Sequence, residues 1–423
     1  MKPDYDILII GGGMVGASLG VALGGSGLRV GLVEAVPFGA PRQPSYDDRT
    51  IALAYGSKKI FAALGIWDSL HTNGDRSSPV VATQKVAGGV TPISRIHISD
   101  QGHFGFAHLD SAEAGVEQLG YVVENRVLGA ALTARLREFA NVTLVQPAVL
   151  TEVDFSGPLA TVSIELNGAP VRLSTSLVVA ADGGNSAVRA AAGIAAHRVE
   201  YGQSAVVANV TTELAHESTA FERFTKYGPL ALLPMEANRC SVVWSLPPPE
   251  AERMVAISEA EFLGQLQESF GTRLGRFLKT GARNVYPLAL TRVKEHVRNR
   301  LVLIGNAAHT LHPVAGQGFN LGLRDVAVLA QVLVDAQRRA EDVGSPVVLQ
   351  TYASWRKRDN LAVSSFTDAL VRIFSNNFGP LVVARDLGLL AVDLVPAVKR
   401  ALMRHTMGLA GRLPRLARGL PLL

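Results

Sequence analysis

The stretch YDILIIGGGMVG, residues 5–16, decides the fold of this chain. Its first half is apolar and rich in isoleucine, which predicts a buried strand, and a helix of small residues is predicted from Met14 to Leu23. A second buried strand, predicted over residues 29–34, completes a strand–turn–helix–strand unit of the kind found in parallel sheets.

The turn of this unit has the pattern Gly-x-Gly-x-x-Gly at Gly11, Gly13 and Gly16. Glycines let backbone amides approach a pyrophosphate closely, and the free amides and dipole of the helix N-terminus then hold the phosphate. Glu34 ends the second strand, where an acid can bond ribose hydroxyls. Strand, turn, helix and acid in register predict dinucleotide binding, without choosing between FAD and NAD.

A second motif, DGGNSAVR at residues 182–189, directly follows a buried strand predicted over residues 177–181. An Asp-Gly pair favours a turn, and Ser186 is a residue type that caps helices. The alternative interpretation places Asp182 at a strand end that lines a cofactor site. The residues alone leave both interpretations open.

A third motif, GNAAH at residues 305–309 followed by HPVAGQGFN at residues 312–320, lies between a predicted buried strand and a long predicted helix over residues 320–338. Its glycines and the helix start predict a loop that faces an anionic ligand group. His309 and His312 are spaced like a metal-binding pair. No third ligand at metal-site spacing accompanies them, which favours a role in structuring the loop.

The rest of the chain indicates a second domain. Residues 161–173 alternate apolar and polar, which predicts one half-exposed antiparallel strand of the kind found in a hairpin inserted in an α/β domain. Residues from about 200 to 290 read as a sheet domain interrupted by the prolines at 247–249, and the chain after residue 320 reads as helical. The predicted fold class is α/β: a Rossmann-like nucleotide-binding domain with an inserted mixed or antiparallel-sheet substrate domain and a helical C-terminal region.

Composition excludes several classes of protein. The chain has 423 residues, of which 48% are hydrophobic and 18% charged, which suits a globular protein with a sizeable core. Its single cysteine, Cys240, excludes an internal disulfide and a Cys-rich metal site, and favours a reducing cytoplasm. The uncharged stretches at residues 7–28 and 301–323 are broken by glycines and polar groups, so they predict ligand loops rather than membrane spans.

The net charge of +5 is concentrated at the C-terminus. No acid follows Asp393, whereas six basic residues do: Lys399, Arg400, Arg404, Arg412, Arg415 and Arg418. A basic, Leu-rich tail predicts contact with anionic lipid or an acidic partner, or else a helix packed on the protein with its charges in solvent. Nucleic acid is disfavoured as a partner, because no aromatic-interleaved basic patch accompanies the tail.

The three motifs, in this order along nearly the whole chain, resemble the flavoprotein aromatic hydroxylases of the para-hydroxybenzoate hydroxylase fold. Residues 47–53, 121–125, 312–325 and 374–376 resemble the ubiquinone-biosynthesis branch of that family, with the pattern closest to the hydroxylases of 2-polyprenyl-6-methoxyphenol. Asn306 stands where the broader family usually has aspartate; it keeps a hydrogen-bonding oxygen without the charge.

The resemblance implies FAD as cofactor, NAD(P)H as electron donor and O2 as co-substrate. It implies that a flavin C4a-hydroperoxide transfers oxygen to the electron-rich ring of a polyprenylated methoxyphenol, para to its hydroxyl. The flavin then performs the chemistry while the protein orients and desolvates the reactants, so no catalytic side chain is assigned. It also implies other ubiquinone-biosynthesis proteins as partners, and a cytoplasmic location peripheral to the inner membrane, reached through the basic tail.

The resemblance also suggests which residues form the site. FAD contacts are expected at Gly11, Gly13, Gly16, Glu34, Arg49, Asn125, Asp182, Gly305, Asn306, Gly318, Phe319 and Asn320. A loop that positions the ring is expected at His312, Pro313, Gly316, Gln317 and Gly318. Walls of the substrate pocket are expected at Phe221, Phe224 and Leu232, for which core packing is an equally good interpretation.

The expected domain division follows the same resemblance. It assigns residues 1–75, 111–195 and 291–340 to FAD binding, residues 76–110 and 196–290 to the substrate domain, and residues 341–423 to the helical region. Two rivals remain: a non-catalytic flavoprotein that scaffolds a quinone-biosynthesis complex, and a hydroxylase that acts at a different ring position.

Overall fold

A computed structural model of the chain describes residues 2–40, 49–71, 89–374 and 379–423. The strands in chain order are β1 (Tyr5–Ile10), β2 (Val30–Val33), β3 (Thr50–Ala54), β4 (Val90–Ile93), β5 (Arg95–Asp100), β6 (Phe106–Asp110), β7 (Gly120–Glu124), β8 (Val142–Val145), β9 (Ala148–Asp154), β10 (Ala160–Leu166), β11 (Ala169–Ala180), β12 (Ala196–Thr212), β13 (Thr219–Thr225), β14 (Gly228–Met235), β15 (Arg239–Leu246), β16 (Phe277–Thr280), β17 (Asn284–Val293), β18 (Val297–Arg298), β19 (Leu301–Leu303) and β20 (His309–Thr310).

The helices are α1 (Met14–Ala22), α2 (Tyr55–Ala63), α3 (Trp67–His71), α4 (Ser111–Ala114), α5 (Asn125–Arg137), α6 (Ala187–Ala191), α7 (Pro248–Ala256), α8 (Glu259–Phe270), α9 (Gln317–Arg338), α10 (Pro346–Phe374), α11 (Gly379–Leu394) and α12 (Pro396–Thr406). Short 3-10 turns cover residues 305–307, 314–316 and 416–418.

The first sheet is the nucleotide-binding core predicted from the sequence. Its order is β18-β19-β11-β1-β2-β8, and β1, β2, β8, β11 and β19 run parallel. The chain moves from β1 to β2 on one side, while β11 pairs on the other side of β1. Strand order therefore reverses at β1, and ligands of open α/β sheets bind at such a point, beyond the carboxyl ends of the strands.

The second sheet has the order β20-β17-β12-β15-β14-β13-β5-β6, with β16 beside β12. Its neighbours pair antiparallel except β13 and β5. One face packs on α7 and α8 through a core that includes Trp244 and Phe262. A small third sheet, β3-β7-β4, lies beside the first. The predicted fold class is therefore confirmed.

Two local predictions differ from the structure. The alternating stretch at residues 161–173 is two strands, because Asn167 and Gly168 both take positive φ and form a tight turn between β10 and β11. The prolines at 247–249 begin helix α7 instead of only breaking the sheet, since Pro248 stands in its first turn, where a missing amide hydrogen costs nothing.

Candidate active site

The carboxyl edge of the parallel sheet brings the three sequence motifs together. Gly11 follows β1, Glu34 follows β2, Asp182 lies just beyond β11, and Gly305 lies just beyond β19. These strands are hydrogen-bonded neighbours, so residues distant in sequence meet around one cleft.

The glycine loop after β1 has no room for side chains. A Cβ on Gly11, whose φ is +102°, would lie 2.5 Å from the carbonyl oxygen of Ala181. A Cβ on Gly16 would lie 1.9 Å from the carbonyl oxygen of Gly11, so a glycine at this position lets α1 approach the loop. No side chain caps α1 at Gly13, which leaves its N-terminus open toward a ligand.

Glu34 braces this loop from the end of β2. The amide of Gly12 donates a 2.6 Å hydrogen bond to its Oε2, and the amide of Val36 donates to its Oε1 at 2.9 Å. The carboxylate is therefore fixed at the edge of the cleft, where Glu34 is among the lining residues.

Asp182 has one engaged and one unengaged carboxylate oxygen. Its Oδ2 accepts a 3.1 Å hydrogen bond from the amide of Val188, while its buried Oδ1 has no partner among the described residues. Nearby, Arg189 donates to the carbonyls of Ala307 and Gly184, which ties the second motif to the third. A buried, unpartnered acceptor beside a cleft fits a ligand that brings a hydroxyl or N–H group.

A buried acid on α9 holds the third motif in place. Asp325 Oδ2 accepts from the Gly305 amide at 3.0 Å and lies 2.7 Å from His309 Nε2, and Arg356 Nε donates to Oδ1 at 2.7 Å. Burial alone would raise the pKa of Asp325, but the Arg356 charge and the His309 contact outweigh burial and hold that pKa well below its usual range. The sequence reasoning missed this role, although an acid within the apolar run of α9 is a signal for it.

Asn320, which the sequence analysis predicted to contact FAD, holds the loop before α9 in place. Asn320 Oδ1 accepts from the Ala54 amide and the Ser57 hydroxyl, and its Nδ2 donates to the carbonyls of Ala52 and Gly316. These four hydrogen bonds use the polar atoms of its side chain, so Asn320 acts by fixing the start of α9 to β3.

His312 is fully buried behind the loop rather than on the wall of the cavity. Its Nε2 lies 3.2 Å from Gln203 Oε1, and its Nδ1 accepts from the amide of Val314. Burial lowers the pKa of His312 to about 4, so the ring is neutral near neutral pH. These contacts favour the loop-structuring role, and His309 is likewise engaged by Asp325.

The cleft opens into one cavity of about 1290 Å³. The predicted site residues that line it are Gly11, Gly13, Glu34, Arg49, Asn125, Asp182, Asn306, Pro313, Gly316, Gln317, Gly318, Phe319 and Asn320. Gly16, Gly305 and His312 stand behind this lining and support it.

From the glycine loops the cavity continues into an apolar arm between the second sheet and the C-terminal helices. The sheet contributes mainly small and branched side chains, namely Ile96, Ile98, Ala205, Val207, Ala220, Ala231, Leu233 and Val243. The helices contribute Phe366, Leu370, Phe374, Leu389, Val392 and Leu402.

The three residues predicted to form walls of the substrate pocket have different positions in the structure. Phe224 lines the arm and stacks on Phe374 at 3.6 Å, whereas Phe221 reaches the lining while its ring packs edge-on against Phe270. Leu232 is not a wall: it lies in the core on the other face of the sheet. Successive residues of a strand point to opposite faces, so its neighbours Ala231 and Leu233 take that position.

The residues present fit FAD. The glycine loop and the uncapped start of α1 would suit a pyrophosphate, and Glu34 lies at the end of β2, where an acid could bond a ribose. Asp182 offers its unpartnered oxygen, and the start of the long helix α9 directs its positive end toward the same cavity. The apolar arm leads away from the glycine loops of this cleft.

Comparison with known proteins agrees with this geometry. Residues 4–367 match the FAD-binding domain family. The chain is 41% identical over 422 residues to the ubiquinone hydroxylase UbiL of Rhodospirillum rubrum, covering 99% of this chain and 93% of the relative. It is 35% identical to the 3-demethoxyubiquinol 3-hydroxylase of Escherichia coli, covering 96% and 98%.

Solved structures share the fold at lower identity. The p-nitrophenol 4-monooxygenase PnpA of Pseudomonas putida superposes with a TM-score of 0.78 at 20% identity, covering 97% of this chain and all of that one. PqsL of Pseudomonas aeruginosa, in complex with 2-aminobenzoylacetate, superposes with a TM-score of 0.73 at 21% identity, covering 91% and 99%.

Proposed function

The chain belongs to the FAD-binding domain family of flavoprotein monooxygenases, and from that premise we propose that it hydroxylates the ring of a polyprenylated methoxyphenol in ubiquinone biosynthesis. The observation that carries the substrate class is the apolar arm, which is continuous with the cofactor cleft. A soluble phenol needs only a ring pocket, whereas an isoprenoid chain needs an extended apolar channel beside it. The names of the two curated relatives support the pathway.

The proposed reaction balances with two co-substrates. NAD(P)H supplies a hydride, which carries two electrons, and the solvent supplies one proton. One atom of O2 is inserted into a ring C–H bond to give a hydroxyl group, and the other atom leaves as water. When bound, FAD would supply the chemistry that accepts the hydride and activates oxygen. The chain's own residues would hold the pyrophosphate at the glycine loop, Asp182 and the α9 loop would orient the flavin, and the apolar lining of the arm would exclude water.

We expect Asp182→Ala to slow flavin reduction by NAD(P)H roughly tenfold or more, because the variant removes a carboxylate acceptor worth about 1.5–3 kcal/mol from the flavin side of the cleft. Stopped-flow absorbance of the flavin measures the rate. Asp154→Ala is the matched control, since Asp154 lies at the exposed end of β9 and its side chain accepts a hydrogen bond from the nearby amide of Ser156.

Both variants should keep their flavin content and their melting temperature within a few degrees. If the rate of flavin reduction is unchanged in Asp182→Ala, Asp182 serves only to form the turn with Gly183.

We expect the gene to restore ubiquinone synthesis in a bacterial strain that lacks one ring hydroxylase, with the position para to the phenol hydroxyl as the predicted site of attack. Mass analysis of the quinone precursors before and after complementation identifies the ring carbon. Rescue of only a strain defective at another carbon would keep the reaction class and overturn this regiochemistry. If the Gly13→Val variant restores synthesis as well as the wild type although it holds no FAD, the protein would instead be a non-catalytic scaffold of the biosynthetic complex.

Among the described residues, no helix combines the length and the apolar character needed to cross a bilayer. We propose that the protein works in the cytoplasm at the inner membrane, since a polyprenylated phenol resides in lipid, and that other ubiquinone-biosynthesis proteins are its partners. We also propose that the domain boundaries lie after residues 75, 110, 195, 290 and 340.

The basic tail needs a revised role in this proposal. Its apolar residues Met403, Met407, Leu416 and Leu422 are buried against the body, and Lys399 pairs with Glu113 and Asp393. These four apolar residues are therefore not available to lipid, whereas the exposed arginines of the tail are.

A further inference from the structure

Helix α11 exposes an apolar stripe. Val383, Leu387, Ala391 and Leu394 follow the spacing that places residues on one side of a helix, and all four are exposed, with Leu387 at 56% and Leu394 at 74%. The chain continues this surface through Val395 and Val398 at the start of α12. Contiguous exposed apolar residues of this kind mark an interaction surface rather than scattered surface hydrophobics.

The tip of the β5–β6 hairpin extends the stripe sideways. Phe104 is 59% exposed, and Phe106 is exposed as well. Gly105 between them lies so close to α11 that a Cβ there would stand 2.4 Å from Asp386 Oδ1. Two phenylalanines thus flank the point where the hairpin touches α11. We name this combined surface, residues 104–106 with the exposed side of residues 383–398, the apolar face.

The acids near the apolar face are paired or buried, whereas two arginines of α12 are not. The acids of this region are engaged inward: Asp100 pairs with Arg385 at 2.7 Å, Asp386 is buried, and Asp393 accepts from the His108 amide. On α12, Arg400 and Arg404 are exposed and form no ion pair within the described ranges. Apolar side chains beside unneutralised arginines complement an anionic phospholipid surface.

The opposite side of α11 lines the apolar arm of the cavity. Ala384, Gly388, Leu389 and Val392 all contribute to that lining. A single helix therefore separates the space that would receive an isoprenoid chain from the exposed apolar face. A protein partner would account for the face, but a bilayer accounts for both sides of the helix, because the chain to be bound is itself dissolved in the bilayer.

We propose that the apolar face docks on an anionic bilayer, with α11 lying in the interface plane, and that the polyprenyl chain passes from the lipid beside α11 into the arm. This inference rests on the proposed function for the substrate, but the docking itself does not depend on it. A helix in this orientation buries its apolar side among headgroups and acyl chains while its flanking arginines meet lipid phosphates.

The experiment compares two double variants of the FAD-loaded protein. Leu387→Glu with Leu394→Glu places two acids on the apolar face without touching the cavity lining. The matched control, Leu214→Glu with Leu278→Glu, makes the same change at residues that are 53% and 52% exposed outside this face. Binding is measured by flotation with vesicles of phosphatidylcholine and phosphatidylglycerol, and with vesicles of phosphatidylcholine alone.

We expect the wild type and the control to float with the anionic vesicles, and the α11 variant to lose at least tenfold in binding. Hydroxylation of a soluble short-chain phenol should stay at the wild-type rate in the α11 variant, whereas hydroxylation of a long-chain phenol held in vesicles should fall. Arg400→Glu with Arg404→Glu should weaken flotation and abolish its dependence on salt.

Equal flotation of the α11 variant and the control would overturn the proposal. So would a wild type that does not float but forms a dimer that the α11 variant breaks, because a second copy would then cover the face. If the wild type floats as expected yet hydroxylates neither short-chain nor long-chain phenols, the proposed function fails while the docking surface stands.

Discussion

Replacing Gly13 with valine will strongly weaken FAD binding while the chain stays folded. Gly13 caps α1 without a side chain and lines the cavity, so a branched side chain there occupies the approach path of the pyrophosphate to the helix amides. Loss of these charge-assisted contacts should weaken FAD binding at least about 100-fold, which corresponds to roughly 2.7 kcal/mol. Flavin absorbance after purification and titration of the apoprotein with FAD measure the loss.

Gly264→Val is the matched control for this substitution. Gly264 lies within α8 on the second sheet, and a Cβ there would meet nothing within 4 Å. The control should retain full flavin content despite a small helix-propensity change. A folded Gly13→Val protein that purifies with full flavin would contradict the assignment of the glycine loop to FAD.

Removing the buried carboxylate of Asp325 will destabilise the protein by about 3–5 kcal/mol, because Arg356 then keeps its charge in the core without the fully buried acid that pairs with its Nε. The side chains of Asp325 and Arg356 are 0% and 3% exposed, so water cannot replace the lost contact. The Gly305 amide loses its acceptor as well, which should loosen the third motif and weaken FAD binding. Denaturant unfolding of Asp325→Ala measures the first effect and FAD titration the second.

Asp335→Ala is the control on the same helix. Asp335 is half-exposed and pairs loosely with Arg338, so its loss should change the free energy of unfolding by no more than about 1 kcal/mol. Because the pKa of Asp325 is lowered in the folded state, its stabilising contribution is present above the ordinary aspartate pKa of 3.8 and declines as the pH falls below it. A similar destabilisation in both variants would show that the Asp325 network does not hold the loop.

The sequence predicted the parallel core well because its signals are strong and local. Apolar runs such as residues 5–10 have few alternatives to a buried strand, and the glycine turn leaves little freedom in how the next helix begins. The three motifs could be ordered along the chain for the same reason. That they meet at one edge depends on the strand order around β1, which no single motif reveals.

The substrate wall was harder to predict from the sequence. Phe221 and Leu232 are cross-strand partners in β13 and β14, and both are apolar enough for either face of the sheet. Only the packing of α7 and α8 decides that Leu232 belongs to the core. Strands covered on both faces lack the alternation that would assign a side chain to one of them.

The roles of polar residues in the core could also be predicted only in part from the sequence. Asn320 suits a ligand contact by its type and position, yet β3 lies close enough to take up its hydrogen bonds. Asp325 stands out in the sequence as an acid within the apolar run of α9, but its partner Arg356 lies 31 residues further along the chain. Contacts between residues so far apart follow from tertiary packing, and one sequence carries no direct signal of them.

The central claim, that this chain is an oxygen-inserting flavoprotein acting on a polyprenylated phenol, is tested most directly with isotopically labelled oxygen gas. The purified FAD-loaded protein is reduced either with NAD(P)H or photochemically, mixed with a short-chain polyprenyl methoxyphenol under labelled O2, and the product is identified by mass. We predict a hydroxylated ring that carries one labelled oxygen atom per molecule formed. A product labelled only from water, or oxidation of the flavin with hydrogen peroxide as the sole oxygen product and the phenol unchanged, would contradict the claim.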